Sequence, residues 1–378
     1  MGVVIDRHGA HELTVHGAGL HGLQAPAAAL YFGNSGTSVR LMSGILAGQR
    51  FATRLTGDAS LTHRPMRRIV DPLQQMHASI ECSAQGTLPI TIDGSRELAG
   101  ITYPMPVASA QLKSAILLAG LYAGGRTCVI EPAVTRDHTE RMLAHFGCGI
   151  EVNGRQICIS SQPLTARDID VPADISSAAF FFVAACIAPG SDLLLQRIGV
   201  NPTRDAVITI LQAMGADISV ENRQQISGEP VADIRVRSSK LHGIAIPEQL
   251  VPIAIDEFPA ILVAAACASG TTVLSGAAEL RVKESDRIQA METGLQQLGI
   301  KAEATTDGMV VEGGRPAGGV VDSYTDHRIA MAFTIAGLAA SAPVTVRDCG
   351  NVNTSFPGFT GLLQGLGIDV SVAGRADA

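Results

Sequence analysis

AILLAGLYAGGRTCVIEP, residues 115–132, passes from an Ala- and Leu-rich helical run through a small-residue turn into a β-branched strand. The same pattern occurs at four more places in the 378-residue chain: LMSGILAGQRFATRLTG (41–57), FFVAACIAPGSDLLLQRIG (181–199), ILVAAACASGTTVLSG (261–276) and AFTIAGLAASAPVTVRDCG (332–350). Such recurrence is the signature of a fold built from one repeated supersecondary unit.

A polar loop and a second, amphipathic helix follow each copy, and these second helices end alike. Their closing segments are QQMHASIEC (74–82), AHFGCGIEV (144–152), QAMGADISV (212–220), QQLGIKAEA (296–304) and QGLGIDVSV (364–372). The closing glycine suits the left-handed residue that ends many helices, and the residues after it alternate as a strand does. The pattern predicts a strand–helix–strand–helix–strand–strand unit of about 70 residues.

The first helix of each unit is apolar on nearly every side, which predicts burial all round. A buried helix flanked by strands places the sheets outside and the helices inside. The second helix has a polar face and is expected nearer the surface. The sequence therefore predicts an α/β fold with two inside-out, barrel-like domains.

The segment Met1–Asp6 looks like the end of a further unit, of which roughly sixty residues would precede this chain. That gives six units, three in each domain, with the first one incomplete. The crossover is expected near residues 171–174, so the domains would be 1–172 and 173–378.

Composition narrows the class of protein. The chain has 40 glycines, 46% hydrophobic and 4% aromatic residues, and a net charge of −7, which argues against general nucleic-acid binding. Most of the seven cysteines lie in apolar runs without CxxC spacing, so we expect reduced thiols in a cytoplasmic protein. We find no signal peptide, and the apolar runs are too short or too interrupted to span a membrane.

The segment Arg281–Arg287, RVKESDR, follows a predicted strand at residues 271–274 and opens a helix that runs to Leu298. Glu284 or Ser285 is the expected N-cap. Lys283 and Arg287 are four residues apart at a helix start that repels cations, which favours an anion bound between them. The alternative is a solvated helix start in which Arg287 pairs with Glu284 or Asp286.

Other predicted helices also begin with arginine. Arg64, Arg136 and Arg204 open amphipathic helices, and Arg328 opens a buried one. Each could form a surface salt bridge, but arginine is also the residue for two-pronged recognition of carboxylate and phosphate. Taken together, they indicate a cleft between two domains in which helix starts bind a polyanionic small molecule.

Three further segments carry small or acidic residues at helix starts. GNSGT (33–37) is either a turn or an anion-binding nest. In PMPVASAQ (104–111), Ser109 and Gln111 either cap the helix or hold substrate oxygens. In IDEFP (255–259), Asp256 either caps the helix or acts as a general base.

Six segments in order resemble the 5-enolpyruvylshikimate-3-phosphate synthase family over essentially the whole chain. They are GNSGTSVRLMSGILAG, LTGDASLTHRPM, PMPVASAQLKSAILLAGL, RVKESDR, YTDHRIAMAF and NTSFPGF. The resemblance implies two inside-out α/β domains and transfer of the enolpyruvyl group of phosphoenolpyruvate to the 5-hydroxyl of shikimate 3-phosphate, with release of phosphate. It implies no metal or organic cofactor, and a monomer.

The resemblance also implies roles for individual residues. The phosphoenolpyruvate contacts would be Gly36, Arg64, Gln111, Arg287 and Arg328. Ser109, Ala110 and Gln111 would hold shikimate 3-phosphate, with Thr135 and Arg136 at its phosphate. Asp256 would accept the proton of the 5-hydroxyl, Lys283 would lie between the substrates, and Glu284 would move protons at the methylene carbon.

This sequence departs from the family pattern in two places. The family has an N-terminal Lys-Ser-Ile-Ser-His-Arg type segment whose side chains touch both substrates, and this chain has none. Thr354 stands where some members have a lysine. We therefore expect either the enzyme itself or a non-catalytic, incomplete chain of the same family. In-frame upstream coding sequence with a Lys-Ser-x-x-x-Arg motif would distinguish a wrong start from a true truncation.

Two related activities are disfavoured. The sister activity on UDP-N-acetylglucosamine would bring a reactive cysteine in a Pro/Gly-rich loop, which this sequence lacks, and the acidic net charge disfavours a fold-sharing RNA cyclase. Gly36 with its small hydroxyl neighbour predicts a site open to phosphonate inhibitors of the glyphosate type.

Overall fold

The computed structural model describes residues 1–94 and 97–373. These residues form two compact units, Met1–Asp170 and Val171–Ala378. Within the described ranges, no helix combines the length and the apolarity needed to cross a membrane.

The first unit contains ten strands and five helices within its described residues. The strands are β1 (Val4–Arg7), β2 (Leu13–His16), β3 (Leu30–Tyr31), β4 (Ala52–Thr56), β5 (Ile80–Glu81), β6 (Ile90–Asp93), β7 (Thr102–Pro104), β8 (Arg126–Ile130), β9 (Glu151–Asn153) and β10 (Gln156–Ser160). The helices are α1 (Gly36–Ala47), α2 (Ala59–Thr62), α3 (Arg67–Gln75), α4 (Ala110–Gly120) and α5 (His138–His145).

The second unit contains eight strands, seven α-helices and three 3-10 helices within its described residues. The strands are β11 (Asp192–Gly199), β12 (Asp217–Ile226), β13 (Glu229–Arg237), β14 (Thr271–Leu274), β15 (Lys301–Ala304), β16 (Met309–Glu312), β17 (Gly319–Asp322) and β18 (Val344–Arg347). The helices are α6 (Ile175–Ile187), α7 (Ala206–Ala213), α8 (Phe258–Ala266), α9 (Arg287–Gln297), α10 (His327–Ala336), α11 (Val352–Ser355) and α12 (Phe359–Gly365).

The repeated unit is visible in the sheets. In the first unit, two four-stranded sheets have the orders β3-β4-β6-β5 and β7-β8-β10-β9, and β1 pairs with β2 in a separate hairpin. The first two strands of each four-stranded sheet are parallel and the remaining pairs are antiparallel. This is the predicted strand–helix–strand–helix–strand–strand order, with the short α2 inserted before α3.

The second unit carries three smaller sheets with the orders β11-β13-β12, β14-β16-β15 and β17-β18. The predicted closing strand of the last repeat is wrong for the described residues 368–373, which form no strand. In the two preceding repeats the corresponding residues pair with a following strand, β13 or β16. The described part of the last repeat has no such partner strand, so its alternating sequence is not sufficient to form one.

The first helix of each repeat lies in the core, as its composition predicts. All nine residues of α8 and eleven of the thirteen residues of α6 are buried. α6, α8 and α10 contribute to one continuous hydrophobic core, while α1 and α4 contribute to the core of the first unit. The second helix α9, in contrast, keeps exposed polar residues on one face.

Helix ends repeat their backbone geometry. Gly147, Gly215, Gly299 and Gly367 follow α5, α7, α9 and α12 and have φ between +77° and +92°. His77 takes the same left-handed position after α3, with φ +71°. A residue with a Cβ is strained there, so the histidine is held by the local repeat geometry rather than by its own preference.

The expectation of seven reduced cysteines is wrong for two of them. Cys128 and Cys158 face each other across β8 and β10 and form a disulfide. Their Cα atoms are 4.1 Å apart because they are directly paired in the antiparallel register. The other five, Cys82, Cys148, Cys186, Cys267 and Cys349, are free thiols.

Candidate active site

The second unit brings the starts of several helices to one group of charged side chains. Asp174, Asp286 and Asp326 cap α6, α9 and α10 by accepting backbone N–H bonds. The expected N-cap at Glu284 or Ser285 is therefore wrong. A 3-10 turn, residues 278–282, and the extended Lys283 delay the helix until Arg287, where Asp286 is the residue in position to cap it.

Lys283 and Arg287 do lie beside an anion, and it belongs to the protein. The Oδ1 atom of Asp256 is 3.4 Å from Lys283 Nζ and 3.6 Å from Arg287 Nη1. Asp256 precedes α8, so this carboxylate comes from a different helix start. The two cations thus converge on one protein carboxylate, and the binding of a ligand anion between them stays a prediction.

Arg287 is the most enclosed cation of the group, with only 2% of its surface exposed. Its Nη2 lies 2.7 Å from Glu284 Oε2, and its Nε donates to Asp326 Oδ2 at 2.8 Å. The alternative in which Arg287 pairs with Glu284 is therefore present in the structure. It coexists with the Asp256 contact, because a guanidinium offers donors in several directions.

Charge and burial have opposite effects on the pKa values of Arg287 and Asp326. Burial alone would lower the pKa of Arg287, but Asp326, Glu284 and Asp256 more than offset it and raise that pKa. Burial alone would raise the pKa of Asp326, but the charge and hydrogen bonds of Arg287 hold it below its usual value. Both groups are therefore charged at neutral pH. Burial and the adjacent Arg328 lower the pKa of His327, which keeps that imidazole neutral.

Glu257 lies between two more of the predicted arginines, Arg204 and Arg328. Its fully buried carboxylate accepts a hydrogen bond from Ser176, and its Oε1 is 3.4 Å from Arg204 Nη2 and 3.9 Å from Arg328 Nη1. Arg328 also donates to the Asp256 carbonyl at 3.0 Å. Glu257 occupies the cap position of α8 without a capping bond, so its side chain serves the arginines and not the helix.

The first unit forms a separate network at the start of α1. Arg64 donates to Asn34 Oδ1 at 2.7 Å, and Asn34 donates to Asp58 Oδ2 at 2.8 Å. Gln111 donates to Thr37 Oγ1 at 2.8 Å and accepts from the buried Arg40. The segment 33–37 is thus tied directly to Arg64 and Gln111, and to Arg40 through Gln111. This is more than a simple turn requires.

Gly36 lies next to two guanidinium groups of this network. A Cβ atom there would stand 3.2 Å from Arg64 Nη1 and 3.3 Å from Arg40 Nη1. Such contacts are tight, so one or both guanidinium groups would have to shift. The absence of a side chain lets the two cations approach the start of α1.

The other predicted residues of the first unit lie around α4. Ser109 is the N-cap of α4, accepting from the Leu112 N–H at 3.3 Å, and Ala110 is its first residue. Ser109 therefore does cap the helix, and its contact with substrate oxygens stays a prediction. Thr135 donates to Glu131, and Lys113 Nζ lies 3.5 Å from the Thr135 carbonyl oxygen. Arg136, half-buried, comes directly after Thr135.

The structure thus gathers Gly36, Arg64 and Gln111 into one group of the first unit and Asp256, Lys283, Glu284, Arg287 and Arg328 into one group of the second. Sequence reasoning missed Arg40, Glu257 and Asp326 as parts of these groups, and Lys113 and Glu131 as the buried partners of Thr135. Arg40 and Lys113 could have been noticed as cations inside otherwise apolar helices. The Thr354 hydroxyl donates to the Asn351 carbonyl and so serves its own short helix.

Comparisons with known proteins agree over nearly the whole chain. The family model described as EPSP synthase (3-phosphoshikimate 1-carboxyvinyltransferase) matches residues 1–363. The 3-phosphoshikimate 1-carboxyvinyltransferase of Methylococcus capsulatus is 60% identical over 374 residues, which cover 99% of this chain and 86% of the relative. That of Nitrosococcus oceani is 58% identical over 371 residues, covering 98% and 84% respectively.

A solved structure of EPSP synthase from Acinetobacter baumannii matches this fold with a TM-score of 0.90 at 53% identity. The match covers 99% of this chain and 86% of that one. The predicted α/β fold class is thereby confirmed. On the family match and these identities, the chain belongs to the EPSP synthase family.

Proposed function

We propose that this protein transfers the enolpyruvyl group of phosphoenolpyruvate to the 5-hydroxyl of shikimate 3-phosphate and releases phosphate. This is the 3-phosphoshikimate 1-carboxyvinyltransferase reaction of the shikimate pathway, which leads to chorismate and the aromatic amino acids. Both substrates are small polyanions, which suits the arginine-rich helix starts of both units.

One observation carries the proposal for this chain. Within the described residues, the buried Nη1 of Arg287 has no hydrogen-bond partner, although its carboxylate neighbours occupy the other nitrogens of the same guanidinium. A buried donor left unsatisfied costs free energy, about 1–3 kcal/mol. An anionic oxygen of phosphoenolpyruvate would satisfy it, since Nη1 faces the side where Lys283 and Asp256 lie.

The chemistry divides among the residues of the second unit. The 5-hydroxyl oxygen adds to C2 of phosphoenolpyruvate while C3 gains a proton. The intermediate then loses a proton from C3 and releases phosphate from C2. Asp256 accepts the hydroxyl proton, and Glu284 gives and removes the proton at C3. Lys283, Arg287 and Arg328 stabilise the carboxylate and phosphate charges during both steps.

The first unit supplies binding groups. Gly36, Arg64 and Gln111 contact phosphoenolpyruvate, and Ser109, Ala110 and Gln111 hold the ring substituents of shikimate 3-phosphate. Thr135 and Arg136 bind its phosphate. No metal or organic cofactor takes part. Arginine suits the planar carboxylate and the phosphate because its guanidinium can donate two parallel hydrogen bonds.

The proposal is tested by phosphate release from phosphoenolpyruvate plus shikimate 3-phosphate. The assay compares the 378-residue chain with a version extended by in-frame upstream coding sequence. Turnover that needs both substrates supports the proposal in whichever version shows it. If shikimate 3-phosphate binds but neither version releases phosphate, the non-catalytic alternative holds. If neither version binds it, the proposed substrates are wrong.

Arg136→Ala is expected to raise the KM for shikimate 3-phosphate by about 10- to 100-fold, with little change in kcat. One charge-assisted hydrogen bond is worth about 1.5–3 kcal/mol, and the loss falls on binding and not on the reacting atoms. Steady-state kinetics with each substrate varied in turn measure it. The control is Arg126→Ala, which removes an exposed surface pair with Glu151. An unchanged KM in the Arg136 variant contradicts the role.

Gly36→Ala is expected to raise the KM for phosphoenolpyruvate and the glyphosate inhibition constant together, each by about tenfold. The added Cβ displaces the Arg64 and Arg40 guanidinium groups, and small misplacements of such groups are costly. Inhibition kinetics against phosphoenolpyruvate measure both constants. Gly17→Ala is the control, since no described atom lies within 4 Å of its Cβ position. Full wild-type activity at millimolar glyphosate would contradict the prediction of sensitivity.

We further propose that the two units correspond to two enolpyruvyl transferase domains, 1–172 and 173–378, that the protein is a cytoplasmic monomer, and that it binds no nucleic acid. Five free thiols and an acidic net charge support the compartment and the lack of nucleic-acid binding. The Cys128–Cys158 disulfide is the feature that least suits a reducing compartment. Thiol titration of protein purified under anaerobic conditions tests the proposed reducing compartment.

A further inference from the structure

A buried charge cluster contacts Thr135, which belongs to the segment proposed to bind the substrate phosphate. Lys113 belongs to α4, one turn after Ser109, and only 1% of its surface is exposed. Its Nζ is 2.5 Å from Glu140 Oε1 and 3.1 Å from Glu131 Oε1. The cluster therefore joins α4 to α5 and to the residue that directly follows β8.

Stability alone does not account for this arrangement. Taking charged groups out of water is costly, and apolar residues of similar volume often replace a buried ion pair without loss of stability. Here one lysine faces two carboxylates, which is one more than it needs. The second carboxylate is therefore expected to have another task.

Glu131 has contacts that Glu140 is not seen to have. Its Oε1 accepts hydrogen bonds from the Thr135 backbone N–H, at 3.2 Å, and from the Thr135 hydroxyl. Lys113 reaches the Thr135 carbonyl oxygen at 3.5 Å, a long contact. The backbone on both sides of the Thr135 side chain is thus tied to this cluster, immediately before Arg136.

We propose that Glu131 is a positioning residue, which holds Thr135 and Arg136 in the geometry that binds the phosphate of shikimate 3-phosphate, while Lys113 anchors Glu131 as its buried counter-ion. The inference rests on the proposed function, because it assigns a supporting residue to the same substrate. It goes beyond that function because Glu131 touches no substrate and acts through the Thr135 segment.

The two glutamates provide a matched test. Glu131→Met and Glu140→Met each remove one buried carboxylate and leave Lys113 paired with the other, so both retain a one-to-one ion pair. Only Glu131→Met removes the acceptor for Thr135. Glu131→Gln keeps an acceptor oxygen at that position and serves as the conservative rescue.

Calorimetric titration with shikimate 3-phosphate alone gives the main result. We expect Glu131→Met to raise the Kd, and the KM for the same substrate, by about tenfold or more, with kcat and the KM for phosphoenolpyruvate nearly unchanged. Glu140→Met is expected to stay within about threefold of the wild type, and Glu131→Gln to recover most of the affinity. Hydrogen exchange at the Thr135 amide should be faster in Glu131→Met even without substrate.

Each outcome has a defined meaning. Equal weakening by both Met variants would show a general effect of disturbing the cluster and would overturn the inference. Unchanged affinity in Glu131→Met would also overturn it, while the proposed function would stand because the wild type still binds. Failure of the wild type to bind shikimate 3-phosphate would overturn the proposed function and, with it, this inference.

Discussion

Alanine at Asp256 or at Lys283 is expected to lower kcat by about a thousandfold or more. The Asp256→Ala variant would lack the acceptor for the hydroxyl proton. General-base catalysis of this kind contributes about 10²–10⁴-fold to a rate. The Lys283→Ala variant would lack the ammonium group that lies 3.4 Å from the Asp256 carboxylate. Both side chains are mostly but not fully buried, which suits groups that must contact substrate.

Rapid-quench or continuous measurement of phosphate release, with both substrates saturating, checks this expectation in the catalytically competent version of the chain. The control is Lys301→Ala, which removes a lysine that is 83% exposed and paired with Glu312 at the surface. Thermal unfolding of each variant separates lost chemistry from lost folding. Rates within tenfold of the wild type for either alanine variant would refute its catalytic role.

Asp326→Ala is expected to destabilise the protein by about 3–5 kcal/mol. Asp326 is fully buried and accepts from Arg287 Nε at 2.8 Å, from Ser285 Oγ at 3.1 Å and from the Arg328 N–H at 2.9 Å. Its removal would leave the Arg287 charge buried beside fewer carboxylates and would also delete the N-cap of α10. Urea unfolding followed by circular dichroism measures the loss.

The pH dependence of this effect has a defined sign. The pKa of Asp326 is lower in the folded protein than in the unfolded chain. Its stabilisation is therefore present above the unfolded pKa, about 3.9, and is lost as the pH falls through the folded value. The stability difference between the wild type and Asp326→Asn should shrink with acidification below about pH 4.

Asp192→Asn is the control for Asp326. The pKa of Asp192 is also lowered, chiefly by its hydrogen bond to Arg235, but this carboxylate lies at the exposed surface. Solvent screens such pairs, so a far smaller loss is expected. Equal destabilisation by the two Asn variants would mean that burial of Asp326 contributes nothing.

Local features of the fold were predictable from the sequence. The strand at residues 271–274 and the helix that ends at Leu298 occur as expected, because alternation and helical periodicity report local burial. The left-handed backbone after most second helices was also predictable, because a glycine stands at that position. His77 shows the limit of that rule, since the backbone takes the same shape without one.

Long-range pairings were not predictable. Asp326 and Arg287 are 39 residues apart, so no local pattern relates them. Lys113 gives no sign in the sequence of which carboxylates will neutralise it, because Glu131 and Glu140 arrive from a loop and another helix. The Cys128–Cys158 pairing depends on the register of two strands, which composition does not encode. The roles of Arg64, Arg136 and Arg328 in binding remain predictions.

The Asp256 carboxylate between Lys283 and Arg287 has a consequence for how ligands are admitted. Lys283, Arg287 and Arg328 already lie beside internal carboxylates, so the site behaves as an ion exchanger and not as an open positive well. An incoming anion gains little from net attraction: it can satisfy Arg287 Nη1, but to contact the other nitrogens it must replace an existing partner with better geometry. Simple inorganic anions should therefore compete poorly, and selectivity should reside in the shape of the ligand more than in its charge.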